Sequence, residues 1–326
     1  MVLAFGGGTR GEREGRGSPA RRFFLCRPRG TVAAQGGDGR LVCYGPAPMR
    51  WRTALVHVIL VFATVATLYP VVWVVRMAFT PSQGFSSSGT AWPEHPTLDN
   101  FRDVVGTHDL AGHWLFGRQL VNSLVVSLAV TIVGLILATS AAYALSRFRF
   151  RGRTTSLRAF LLSQMFPGVV TSIPLYVLLD HLHLLNHLAG LVLVYATTAI
   201  PFCVFMLKGY FDTLPRELEE AVLLDGGTRF TAFWRVSLPL ARPALAVTAL
   251  FSFLTAWNEF ILAATFINEP TGFTLPVALQ RYVGDYSTEW GHFAAGAIIV
   301  SLPVMALFFA LEKYLVGGLT AGGVKG

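Results

Sequence analysis

Charge is scarce in this sequence. Only 13% of its 326 residues are Asp, Glu, Lys or Arg, against 53% hydrophobic, whereas a soluble domain carries about 25% charged residues. That shortage argues against a large soluble core and for a multi-span helical membrane protein. Cysteine is nearly absent: Cys26, Cys43 and Cys203 form no metal spacing, and no disulfide framework follows from them. The phosphate-cradling pattern G-x4-G-K-[ST] is missing, as is the dinucleotide fingerprint. The histidines do not pair at metal spacing on a helix, and His181 and His183, at i and i+2, would fall on different helical faces. No metal site is expected there. Without a nucleotide site or a catalytic constellation, the chain is not expected to be an enzyme. Any energy for uphill movement has to come from another chain.

Long apolar runs are what the sequence does have. About 20 apolar residues carry a helix across a bilayer, and on that rule the chain is all-α and polytopic. Its six expected spans are 53–79, 119–146, 158–180, 187–209, 242–267 and 293–316. Pro167 and Pro174 interrupt the third, which is tolerated where neighbouring helices or water satisfy the freed carbonyls. Ahead of the first span, residues 1–48 are rich in Gly and Arg and are expected to be disordered. Met49 just before the first span reads as a natural start, so this tail is expected to be an over-extended one. The transmembrane domain then covers 49–318, and a short tail covers 319–326.

The net charge is +8, and residues 1–49 hold eight arginines against Glu12, Glu14 and Asp38. The basic excess is therefore a tail plus arginines flanking the spans, and does not argue for nucleic acid. The connections after the second span (Arg147, Arg149, Arg151, Arg153) and after the fourth (Lys208, Arg216, Arg229, Arg235, Arg242) carry the positive charge. The opposite connections hold only Arg102, Arg118 and Arg281. Positive residues stay inside, so both termini and the loop Glu217–Pro243 are expected in the cytoplasm.

That loop is polar, long and set between two apolar runs. Thr213 and Pro215 are placed to start a helix, and Glu217, Glu219 and Glu220 fall near its positive end. Leu218, Ala221 and Val222 form an apolar stripe at i, i+3, i+4. Gly226-Gly227 can supply the positive φ of a helix stop, and Thr228 can cap a second helix. Phe230, Phe233 and Trp234 look exposed. An amphipathic segment on the lipid surface is one reading; its acidic first half fits a basic protein groove better.

The spacing within the loop is Glu220-Ala221-Val222, three residues, Gly226, nine residues, Val236, one residue, then Leu238-Pro239. It resembles the EAA-x3-G-x9-I-x-L-P loop of binding-protein-dependent ABC importer permeases, departing only at Val222 and Val236. Residues Ala141–Arg147, Gln164-Met165-Phe166-Pro167 and Leu319–Gly326 add a resemblance to the MalG-like branch of maltose/maltodextrin permeases. This resemblance implies a coupling helix seated on an ATPase subunit, with Glu220, Ala221, Asp225, Gly226 and Pro239 as the coupling residues. It also implies a C-terminal tail (Gly322, Gly323, Val324, Lys325, Gly326) at the ATPase interface, and an outer loop (Asn268, Glu269, Pro270, Thr271, Gly272) meeting a solute-binding protein. The implied partners are a second, MalF-like permease, two ATPase subunits, the binding protein, membrane lipid and an oligosaccharide. ATP and Mg would sit on the ATPase, with no cofactor on this chain.

Asn258 and Glu259 are polar within an apolar run and face either the translocation path or the partner permease. Arg76 is expected to snorkel to the interface. A gradient-driven secondary carrier is the rival class, although the inverted repeat and midplane acids common in such carriers are not visible here.

Overall fold

The computed structural model describes residues 32–35, 41–44, 51–81, 93, 95–284 and 288–323. The chain divides into two units, Met1–Thr67 and Leu68–Gly326. In the first, β1 (Val32–Gln35) pairs antiparallel with β2 (Leu41–Tyr44), Val32 opposite Tyr44. Disorder was expected for this whole stretch; Val32, Val42 and Tyr44 are of types that favour strands. The rest of segment 1–48 lies outside the described residues.

Helix α1 (Trp51–Ala78) runs across the division between the units. Its apolar side chains point outward in every direction, with Phe62 73% exposed, as in a helix facing lipid. Its last turn differs: Arg76 is buried and lies 5.1 Å from the Trp73 ring. The expected snorkelling is not what happens there, since the side chain is buried against protein. Asn100, in α2 (Asp99–Val105), donates its amide to the carbonyls of Ala78 (2.9 Å) and Thr80 (2.8 Å).

The centre of the second unit is α3 (Leu115–Arg147) packed along α6 (Leu188–Thr213) and α10 (Arg242–Trp257). Small residues permit this. Gly134, Ala138 and Ala142 are spaced four apart on α3 and are all buried. Ala138 and Ala142 meet Cys203, Val204 and Leu207 of α6, while Gly134 lies beside Ser252 of α10. Close backbone approach of this kind drives helix association where water cannot. At the other end, Val126, Leu191, Tyr195, Leu262 and Phe266 form a second core.

Among the described residues, four helices are long and apolar enough to cross a membrane: Thr53–Ala78, Leu115–Arg147, Leu188–Thr213 and Trp290–Tyr314. Two bent pairs, Arg153–Ser163 with Gly168–His181 and Arg229–Leu240 with Arg242–Trp257 (74°), bring the number to six if each is one span. The expected third span is broken: α4 (Arg153–Ser163) and α5 (Gly168–His181) meet at 102°. Pro167 causes the break, since its extended backbone (φ −60°, ψ 133°) opens a new helix instead of continuing the old one. Pro174, by contrast, stays inside α5. The expected fifth span, 242–267, also stops early. Asn258 ends α10, and Glu259 accepts from the backbone N–H groups of Leu262 (2.9 Å) and Ala263 (3.1 Å), starting α11 (Ile261–Phe266). Helix α3, at 33 residues, is about 50 Å long and exceeds the ~30 Å apolar thickness of a bilayer. One end therefore stands clear of the membrane, and Arg147 closes it.

Candidate functional site

Beyond α6 the chain turns through Leu214 and Pro215 into α7 (Glu217–Leu224). Thr213 was expected to cap this helix. It is instead the last residue of α6, where its hydroxyl donates to the Tyr210 carbonyl (2.7 Å). The carbonyl of Arg216 accepts the first bonds of α7, from Glu219 and Glu220 (3.0 Å each). The helix stops as its glycines require. Gly226 has φ +82°, and the bonds Gly227 N–H to Val222 O (2.8 Å) and Gly226 N–H to Leu223 O (3.1 Å) make a Schellman stop. Thr228 then caps α8 (Arg229–Ala232), its hydroxyl accepting from the Thr231 N–H (3.2 Å). A π-helical turn, Phe233–Ser237, leads into α9 (Leu238–Leu240). Pro239 has no N–H to give to the carbonyl four residues back, and the winding widens just ahead of it.

The loop is fastened to this chain by a polar anchor, while its apolar stripe stays largely outside. Leu218 is 45% exposed, Ala221 is exposed and Val222 is half-buried. Glu219, in contrast, is buried. Its Oε1 accepts from Arg147 Nε (2.7 Å) and Ser237 Oγ (2.7 Å), and its Oε2 accepts from the Tyr143 hydroxyl (3.0 Å). Arg147 also donates to the Leu214 carbonyl (3.1 Å). One carboxylate thus ties the end of α3, the first helix of the loop and its π turn together. The Tyr143 ring adds a contact with Phe233, centroids 4.6 Å apart. Next to the anchor, Ser146 donates to Asp212, which also pairs with Lys208, and Arg153 Nε donates to the Leu145 carbonyl.

Of the expected coupling residues, Glu220, Ala221, Asp225 and Gly226 are exposed on the outer face of this anchored unit, and Pro239 is half-buried at its exit. Leu224 (88%), Phe230 (71%) and Trp234 (60%) stand out beside them, the last two rings stacked at 6.3 Å. Between α7 and α8 lies a cleft lined by Arg216, Glu219, Glu220 and Arg229. The site therefore combines an immobile base with an apolar and charged outer surface. That arrangement can bind another protein and pass force to α3.

The outer loop is pinned to the opposite end of α3. Gln119 donates to the Pro270 carbonyl (3.0 Å), and Asn122 donates to those of Thr271 (2.9 Å) and Phe273 (3.1 Å). The Leu275 N–H donates to Ser123 Oγ (2.7 Å), and Asn268 N–H donates to the Asn186 side chain (2.7 Å). Pro270–Gly272 form a 3-10 turn, which leaves Asn268, Glu269 and Pro270 exposed at the crest. Past it, α12 (Leu275–Leu279) leads on towards α13 (Trp290–Gly323). Gly322 and Gly323, expected in the C-terminal tail, belong to α13; Val324, Lys325 and Gly326 lie outside the described residues. Sequence reasoning overlooked Glu219 as an anchor and Gln119, Asn122 and Ser123 as a clamp. Their signals were available: polar residues at i, i+3, i+4 within an apolar helix, and Tyr143 one turn before Arg147.

Apolar helices that bear an anchored polar helix–turn–helix define a multi-pass membrane transport subunit. Residues 130–320 match the family described as the binding-protein-dependent transport system inner membrane component, and the chain belongs to that family. It is 36% identical over 277 residues to the galactooligosaccharides transport system permease protein GanQ of Bacillus subtilis (strain 168), covering 84% of this chain and 96% of the relative. It is 34% identical over 300 residues to the maltose/maltodextrin transport system permease protein MalG of Photorhabdus laumondii subsp. laumondii, covering 86% and 98%. Its fold matches a chain in the crystal structure of a bacterial ABC transporter involved in the import of the acidic polysaccharide alginate. The TM-score there is 0.69 at 22% identity, over 83% of this chain and 99% of that one. The chain is a permease subunit and not an enzyme.

Proposed function

We propose that this chain forms half of the translocation path of an ATP-driven oligosaccharide importer of the maltose/maltodextrin type. The observation that carries the reading is the mounting of the EAA-like loop: an exposed face of acids and aromatics fixed through Glu219 and Arg147 to the long helix α3. In this reading Glu220, Ala221, Asp225, Gly226 and Pro239 dock on an ATPase subunit, and closure of two such ATPases tilts α3 and its partners. ATP and Mg belong to those subunits. The remaining partners are a MalF-like permease and a solute-binding protein, whose contact is the loop Asn268–Gly272, exposed at Asn268, Glu269 and Pro270. Gly322–Gly326 reach the ATPase interface, and both termini are cytoplasmic, as the arginine asymmetry supports. The relatives named above are permeases for galactooligosaccharides and for maltose or maltodextrin, which supports the sugar class.

Affinity purification from native membranes should bring down an ATPase and a second permease, and membranes holding the set should take up labelled maltotriose or a galactotriose. Uptake that collapses with a protonophore while ATP is held constant would instead identify a gradient-driven carrier.

A further inference from the structure

Beside the Glu219 anchor, an apolar pocket of about 300 Å³ opens between the end of α3 and α8. Tyr143, Ala144 and Phe148 form one wall, and Phe230 and Phe233 the other. Ser140 edges it towards the middle of α3, and Arg229 is the one charged side chain among the described residues that line it. The pocket has little hydrogen bonding left to offer. The Tyr143 hydroxyl donates to Glu219 (3.0 Å), and the Ser140 hydroxyl donates to the Ile136 carbonyl (2.8 Å). A peptide or a sugar would bring polar groups that find no partners on these walls, at a cost in desolvation. An alkyl chain brings none.

Arg229 adds a preference for negative charge at the same place. It is exposed, and its guanidinium lies 5.5 Å over the Phe148 ring. It forms no ion pair among the described residues, and neither do Arg149 and Arg151, exposed in the turn that follows Phe148. Glu219 is spent in the anchor, and Glu220 borders the neighbouring cleft instead of this pocket. A guanidinium stacked on a ring keeps its N–H edge for the oxygens of a phosphate.

The way in is apolar. Ile132, Ile136 and Ser140 are all exposed and lie four apart on α3, so they make one strip that leads from the span into the pocket. Ser140 is about 10 Å along the helix from Arg147, and the headgroup layer is roughly 5–8 Å deep on each face of a bilayer. With the arginine-rich turn at the surface, the strip runs in hydrocarbon and Arg229 stands at headgroup depth. A helix about 10–12 Å across is too wide to enter; a single acyl chain is not.

We propose that this pocket binds an anionic phospholipid. One acyl chain follows Ile132, Ile136 and Ser140 in between the aromatic walls, and the phosphate meets Arg229, with Arg149 and Arg151 adding to the charge preference. The bound lipid fills the gap between α3 and α8 and stiffens the mounting that Glu219 begins. Its assignment to the cytoplasmic leaflet rests on the sidedness proposed above; its preference for negative charge does not.

The test uses the full transporter, purified with its ATPase and partner permease and held in vesicles of phosphatidylcholine and phosphatidylglycerol. A phosphatidylglycerol and a phosphatidylcholine, each with a photoreactive group on the acyl chain, are the probes, and labelled peptides are read by mass spectrometry. Peptides holding 140–148 and 229–233 should take the anionic probe at least about fivefold more than the zwitterionic one, the preference expected of one arginine near the surface. Arg229→Gln should cut that preference about fivefold, and Arg229→Lys should keep most of it. Ser140→Trp, at an exposed position, should block entry and reduce labelling by both probes. Equal labelling by the two probes in the wild type, or an unchanged preference in Arg229→Gln, overturns the proposal and marks a plain lipid-facing surface. So does the absence of label from both peptides, which means that a partner subunit covers the pocket. An Asp225→Cys complex that reacts with an impermeant maleimide only from outside refutes the sidedness itself, a result independent of the lipid preference.

Discussion

Replacing Glu219 with alanine removes the one carboxylate that three side chains share. Arg147 keeps its bond to the Leu214 carbonyl, but its charge is left without a counter-ion. Its side chain is 4% exposed and that of Glu219 12%, so water does not take the place of the lost partner. Stranding a buried charge in this way costs about 3–5 kcal/mol. The Tyr143 and Ser237 hydroxyls lose their acceptor too. The purified permease should therefore lose thermal stability, its unfolding midpoint falling by on the order of 10 °C. Glu219→Gln keeps the shape and an acceptor oxygen, and should cost less, about 1.5–3 kcal/mol. Removing both charges, as in Arg147→Met with Glu219→Leu, leaves no buried ion alone and should recover part of the loss. With the single variants Arg147→Met and Glu219→Leu added, wild type, the two singles and the double form a double-mutant cycle, which isolates the pair from its surroundings. Uptake should fall further than stability, because a loop cut loose from α3 can still bind its partner yet no longer move the helix. A Glu219→Ala protein with wild-type midpoint and wild-type uptake would refute the anchoring role.

Other outcomes follow from the same geometry. Glu220→Lys alters an exposed position and should leave the thermal midpoint unchanged while weakening ATPase co-purification, more so at low salt than at high salt. Gly226→Val meets no neighbour, since nothing lies within 4 Å of its added Cβ, but φ +82° is a conformation valine resists; it should reduce stability by at least the ~1–2 kcal/mol of a left-handed residue, seen as a lower thermal midpoint, and abolish uptake with the spans still inserted. Gly227→Ala acts by collision instead, its Cβ falling 2.8 Å from the Val222 carbonyl oxygen, and proteolysis between α7 and α8 should speed up. Asn122→Leu frees the Thr271 and Phe273 carbonyls, so amide exchange in segment 268–273 should rise while the loop Glu217–Pro243 stays protected.

The loop shows where sequence reading works and where it stops. Gly226 and Thr228 were legible because positive φ and N-capping are local matters, settled within four residues. Glu219 and Glu220 are neighbours of the same type, and nothing local distinguishes them; one is buried and one exposed only because α3 approaches from 72 residues away in the chain. The spans divide in the same manner. Apolar length located α1, α3, α6 and α13, whereas Pro167 marked only an interruption; that the two halves meet at 102° and that the Gln164 side chain joins the break to α6 came from the packing. Arg76 was misjudged because burial is a property of the packed fold, beyond the reach of any helix-end rule.

The sequence alone determined the membrane class, the positions of most helices, the sidedness expected from its arginines and the punctuation of the polar loop. All of these rest on composition, short-range spacing or the cost of placing charge in lipid. Tertiary structure decided which acid anchors and which stays free, how the outer loop is clamped by Gln119 and Asn122, and where the polar loop leaves a pocket against α3. Each of these is a pairing of distant groups, and burial makes such pairings strong only after the helices have packed.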